Sequence, residues 1–159
     1  SRNVHLNAIK RMVAIGVIAT PFYIPTLGVG SWLPLNIMFT LLLVTLIIYV
    51  IEKGSWYREI AVMVLIVYGS MLVDYLWFGV IYCLAVWFFC KKPSILGLIF
   101  WLASSIGLFY VNDNYLAIYA LPLIYMATKV DIKMPRLRSA FYIYYPTHLM
   151  LLWAIKLWL

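Results

Sequence analysis

Residues 60–90 read IAVMVLIVYGSMLVDYLWFGVIYCLAVWFFC, and Asp74 is the one charged residue among them. Drawn as a single helix rising ~1.5 Å per residue, the run would be about 46 Å long. A bilayer's hydrocarbon core is roughly 30 Å thick, so the run is expected to fold back as a helical hairpin with Asp74 marking the turn. Each arm is then short for a bilayer, and that shortness draws Asp74 and Tyr75 into the outer membrane interface. An acid so placed has two readings. It can cap a helix by accepting backbone N–H bonds, or it can serve chemistry as an ionisable group held among apolar spans.

The remainder of the chain extends this picture on both sides. Its 159 residues are 67% hydrophobic and 11% charged, with a mean hydropathy of +1.01. A soluble core of this size needs far less apolar surface, whereas a polytopic membrane protein requires it. The predicted fold class is therefore all-α, a transmembrane helix bundle with residues 1–159 forming one domain. Residues 1–11 are polar and basic, without the short apolar core and small-residue cleavage site of a signal peptide, and read as a cytoplasmic leader or loop. Residues 12–26 form the first span, which Pro21 and Pro25 are expected to kink or end early. Residues 27–34 form an uncharged loop with Trp32 at interfacial depth. Residues 35–51, opened by Asn36, form the second span, and residues 52–59 a charged turn. Lys91, Lys92 and Pro93 end the hairpin. A fifth span covers residues 94–111, a tight turn residues 112–114, a sixth span residues 115–128, and the longest polar loop residues 129–138. Residues 139–159 are the seventh span. No internal repeat or low-complexity segment is evident.

Charge tests this layout independently. With seven spans and the N-terminus inside, the inner segments hold Arg2, Lys10, Arg11, Lys53, Arg58, Lys91, Lys92, Lys129, Lys133, Arg136 and Arg138, and only Lys156 of the Lys and Arg residues falls outside with the C-terminus. The positive-inside rule is satisfied at every loop. The net charge of +7 is then mostly a signal of topology. A nucleic-acid-binding face would interleave basic residues with stacking aromatics on a soluble surface, and the aromatics here lie in the spans. The basic rim can also attract an anionic headgroup or a nucleotide-bearing cofactor, with Arg11, Lys91, Lys92, Arg136 and Arg138 as candidate contacts. Their plain alternative is orientation alone.

Soluble-enzyme signatures are lacking: there is no glycine-rich phosphate loop, no metal-ligand cluster and no nucleophile elbow. Cys83 and Cys90 stack two helical turns apart, too distant for a disulfide, and read as packing residues. The polar interest lies elsewhere. In the last span Pro146 leaves the Tyr142 carbonyl without its helical partner, and His148 follows at the resulting kink. Tyr144 and His148 are four residues apart and Tyr145 and His148 three, so all three are expected on one face. His148 is either a neutral imidazole pinning the kinked span to its neighbours or a general base. Asn36, Asp74, Tyr75 and residues 112–114 form an outer polar set. A membrane enzyme, a small transporter or channel with Asp74 and His148 along a wet path, and a structural subunit of a membrane assembly all remain open.

The sequence also carries a resemblance. KRM at residues 10–12, NIMF at 36–39, DYLWFGVIY at 74–82 and above all FYIYYPTHLMLLW at 141–153 resemble the TraX family. That resemblance implies a polytopic inner-membrane protein of bacterial conjugation that acetylates the N-terminus of pilin. Acetyl-CoA would be the donor, pilin the acceptor and the lipid bilayer the surroundings, with no metal and no nucleic acid. His148 and Asp74 would then be catalytic, with Asn36, Tyr75, Tyr142 and Tyr145 binding or orienting substrate. Family members carry further spans before the basic leader, the first with an Asp-His pair, so the chain reads as the C-terminal two-thirds of a longer protein.

Overall fold

A computed structural model describes residues 2–28, 32–54, 56–112 and 140–158, with helical positions 119, 122, 123, 125 and 126 between the last two stretches. All regular structure among them is helical, apart from one isolated bridge between Leu35 and Val73. Helix α1 is Arg2–Leu27 and α2 is Ile37–Lys53. α3, Arg58–Val64, continues through a π-helical stretch, Leu65–Gly69, into the single turn α4, Ser70–Leu72. Then follow α5, Leu76–Lys91, α6, Ile95–Asn112, and α7, Ala140–Trp158. The expected sixth span and the 129–138 loop, including Arg136 and Arg138, fall outside the described residues save for those few helical positions, as do 113 and 114.

The all-α expectation holds, and so does the hairpin. Two boundaries differ. The basic leader is not a loop, because α1 already begins at Arg2, and neither Pro21 nor Pro25 ends that helix. Each proline deletes one backbone donor, but Pro21 stands on the exposed side of α1. Side-chain donors serve the carbonyls around it: Thr20 Oγ donates to Gly16 O at 2.8 Å and Thr26 Oγ to Phe22 O at 2.6 Å. Within α1, residues Leu6–Thr26 form the one helix among those described that is long and apolar enough to cross a membrane, while Leu76–Lys91 and Ile95–Phe109 are shorter apolar helices.

Helix α2 begins where Asn36 implies. Its Oδ1 accepts the Met38 N–H at 3.1 Å, satisfying one of the free donors of the first turn. Gly54, with φ 68°, closes the other end in the left-handed conformation that glycine adopts without a Cβ penalty.

Contacts along the helices fix their directions. Gly16 meets Phe39 and Met12 meets Thr45, so α1 and α2 are antiparallel. Thr40 bonds to Asp74 and Glu52 to Lys91, so α5 runs alongside α2 in the same direction. Phe78 meets Gly107 and Phe89 meets Trp101, so α6 returns. Tyr23 packs with Leu149, Phe22 with Trp153, and Lys156 bonds to the Pro25 carbonyl, so α7 lies parallel to α1. Lys10, Arg11, Lys53, Arg58, Lys91 and Lys92 consequently gather at one end of the bundle, and Asp74 lies at the other with Lys156.

Many large apolar side chains face outward, and a few small polar ones sit within a mainly apolar core. Thr20, Asn36, Thr40, Ser70, Ser104 and Ser105 are buried, while Ile60, Met63, Met71, Ile95, Leu96 and Ile143 are exposed. A helix bundle surrounded by lipid can expose apolar side chains at no cost and must pair its polar groups internally. The largest core cluster, Leu43, Val44, Ile47, Val73 and Val80, joins α2 to both arms of the hairpin.

Candidate functional site

The hairpin turn is where several elements bring polar groups together. Val73 is extended, and Asp74 follows it outside any helix. The Leu35 N–H donates to the Leu72 carbonyl and the Asp74 N–H to the Leu35 carbonyl, both at 2.8 Å, so the turn is stitched to the approach of α2. Thr40, one turn into α2, donates its hydroxyl to the Asp74 carbonyl at 3.0 Å.

The Asp74 carboxyl is half-buried. Its Oδ1 accepts the Tyr75 N–H at 3.1 Å, and the Tyr23 phenol from α1 stands near enough to favour its charged form. Tyr145 from α7 and Tyr75 of the turn both lie within the electrostatic reach of the carboxylate. Burial raises the Asp74 carboxyl above the ordinary carboxylate range, against the opposing pull of the Tyr75 N–H bond and the Tyr23 phenol. Burial, and then the neighbouring Asp74 charge, raises the Tyr75 phenol in turn. The α1–α7 packing around Ala19, Tyr23 and Leu149 delivers Tyr23 and Tyr145 to this place.

Asn36 plays a different part from the substrate-orienting one expected of it. Its Nδ2 donates to Gly16 O at 2.9 Å and to Thr20 Oγ at 3.1 Å, while Oδ1 caps α2. With both amide hydrogens engaged, the residue is a joint between α1 and α2, next to the site and not open to it. Tyr142 is half-buried a turn earlier on α7 than Tyr145, beside the ring of Phe141.

His148 lies apart from this cluster. It is exposed and stacked on Tyr144, with ring centroids 5.5 Å apart and planes at 21°. The two line a shallow apolar groove of about 450 Å³ with Ala140, Ile143, Thr147 and Leu151. The pairing of Tyr144 with His148 is as expected, and Tyr145, about 60° round the helix from His148, is the more buried of the neighbouring phenols. At about 100° per residue, the rotation that buries Tyr145 and Leu149 against α1 leaves Tyr144 and His148 facing outward. Nor does Asp74 cap α5 in the simple way considered: the residue before that helix is Tyr75, and the carboxylate bonds only the N–H next to it.

At the basic end, Lys91 Nζ is 3.2 Å from Glu52 Oε1 and 4.6 Å from the Trp87 ring centre. Arg11 and Lys92 are exposed there. No group of three or more His, Cys, Asp or Glu side chains that could hold a metal occurs among the described residues. Tyr23, Thr20 and Thr40 escape sequence reasoning. Tyr23 sits between two prolines in an apolar run, and nothing in its spacing points to an acid in another span.

A family model described as TraX protein matches residues 1–156. No curated protein and no solved structure matches the chain.

Proposed function

The chain belongs to the TraX family, and from that premise we propose that it is a multi-pass inner-membrane enzyme that moves the acetyl group of acetyl-CoA onto the N-terminal amine of conjugative pilin, with Asp74 as general base. The observation that carries this reading is the half-buried Asp74 carboxyl, faced by Tyr23, Tyr75 and Tyr145. The apolar exterior and the gathering of cations at one end support the membrane setting.

The amine nitrogen attacks the thioester carbonyl; a C–N bond forms, the C–S bond breaks, and CoA leaves as thiolate. An α-amine of pKa about 7.7–8.0 needs only a modest base to react in its neutral form. Asp74 takes the proton that nitrogen loses and returns it to the thiolate. A carboxyl raised by burial is better matched to that task than an ordinary one. Tyr23 couples the two needs of the reaction. Its phenol supports the charged acid, and once Asp74 is protonated the O–H is free to serve as the tetrahedral intermediate's oxyanion requires a donor. Tyr75 and Tyr145 are the other phenols within reach.

The donor's anionic portion suits the basic end, where Arg11, Lys91 and Lys92 stand and to which the sequence assigns Arg136 and Arg138. The 17 residues of α2 put roughly 26 Å between that end and Asp74, so the thioester arm must pass between the helices. The test is the intact mass of a conjugative pilin produced with and without the full-length protein. One added acetyl group only in the protein's presence is expected. An unchanged mass, with the protein shown to be inserted, contradicts the proposal.

A further inference from the structure

We infer that Thr40 is a positioning residue for Asp74, its hydroxyl holding the hairpin turn so that the carboxyl faces the phenols. The inference rests on the reading of Asp74 as the base. The turn does not hold itself. α4 ends at Leu72 and α5 begins at Leu76, so the Asp74 carbonyl has no helical partner. Tyr75 and Leu76 have φ of 62° and 48°, a left-handed conformation that disfavours residues with a Cβ and persists only where the surroundings over-determine it.

Three contacts around Asp74 supply that constraint. Its N–H reaches the Leu35 carbonyl at 2.8 Å, its Oδ1 accepts the Tyr75 N–H at 3.1 Å, and its carbonyl accepts the Thr40 hydroxyl at 3.0 Å. The first is made between backbones and is open to almost any residue. The third demands a hydroxyl at position 40. Thr40 is 2% exposed, so the hydroxyl has been taken out of solvent at a place where it makes this bond.

Gly79 completes the joint. A Cβ there would lie 3.6 Å from both the Asp74 carbonyl oxygen and Thr40 Cγ2, and 2.7 Å from Tyr75 Cβ. The bare position in α5 is what lets the left-handed Tyr75 sit above it. Thr40 thus pulls the turn from α2 while Gly79 gives it room in α5. The titratable groups facing the Asp74 carboxyl are Tyr23 from α1, Tyr145 from α7 and Tyr75 from the turn itself.

The experiment compares wild type, Thr40→Val and Thr40→Ser in the full-length protein in detergent micelles. Protonation of Asp74 is followed by infrared titration of its carboxyl C=O stretch, identified by its loss in Asp74→Asn. Thr40→Val keeps shape but removes the donor. The loosened turn weakens the Tyr75 N–H bond and draws the carboxyl away from the Tyr23 phenol, both of which favour the charged acid, so the midpoint should rise by about one pH unit, and Thr40→Ser should restore it. In acetylation, kcat should fall about tenfold in the Val variant with KM for pilin unchanged. An unmoved midpoint in Thr40→Val overturns the inference, and so does a Ser variant shifted as far as the Val variant, which would make the methyl group the cause. Should the Val variant fail to insert, Gly79→Ala presses on the same joint through Tyr75, and an unmoved midpoint there is equally contrary. A titration shift without acetyl transfer in wild type would remove the acetylase reading and leave the positioning role. Acetyl transfer with no shift would do the reverse.

Discussion

Asp74 and Tyr23 form a pair whose chemistry one oxygen atom decides. The phenol favours the charged carboxylate while burial disfavours it, and burial prevails. Tyr23→Phe removes the phenol that supports the charged form, so the Asp74 pKa should rise by about one unit. A base must be deprotonated to act, so activity climbs with pH through that pKa, and the climbing limb of the pH–rate profile should move to higher pH by the same amount. A limb that stays in place would detach Tyr23 from the base. Asp74 was legible in the sequence as the lone charge of a long apolar run. Tyr23 was not, being one of 13 tyrosines, and what distinguishes it is a partner in another span. Periodicity places Tyr145 and His148 near one another on α7 but cannot say which of them turns inward; the structure half-buries Tyr145 and leaves His148 exposed.

At the scale of elements, the spans that could be read were those with unambiguous ends. Asn36 and Gly54 bracket α2 by cap chemistry, and Asp74 breaks the hairpin because the run is too long for one helix. The helix of the first span ends at Leu27, within a residue of the expected end, and Lys156 supplies a donor to the Pro25 and Thr26 carbonyls there. The π-helical Leu65–Gly69 left no sequence signal; it ends at Gly69, where a Cβ would come within 2.7 Å of Leu43 Cδ1. Asn36 ties α1 to α2 through its two amide donors while capping α2. Asn36→Ala loses the α2 cap and both bonds to α1, and should lower stability by about 2–3 kcal/mol. Asn36→Asp keeps the cap and loses the donors, so it should fall between. Urea unfolding in detergent micelles would rank the three, and an Ala variant as stable as wild type would remove Asn36 from the joint.

Across the whole molecule, buried polarity and exposed apolar surface divide the chain into an interior that meets at the Asp74 turn and an exterior on which His148 and Tyr144 line a groove. Charge segregation was visible in the sequence because it needs only loop order. The choice between the interior acid and the exterior imidazole needed the rotation of α7. That choice is the central claim, and the most direct measurement is the acetylated fraction of pilin, by intact mass, made with full-length Asp74→Asn and His148→Ala at equal membrane levels. Asp74→Asn should lose at least about a hundredfold in acetylation rate, the usual range for a general base, while His148→Ala stays near wild type. Normal product from Asp74→Asn, with His148→Ala inactive yet folded and inserted, would contradict the account and return the chemistry to the outer face of α7.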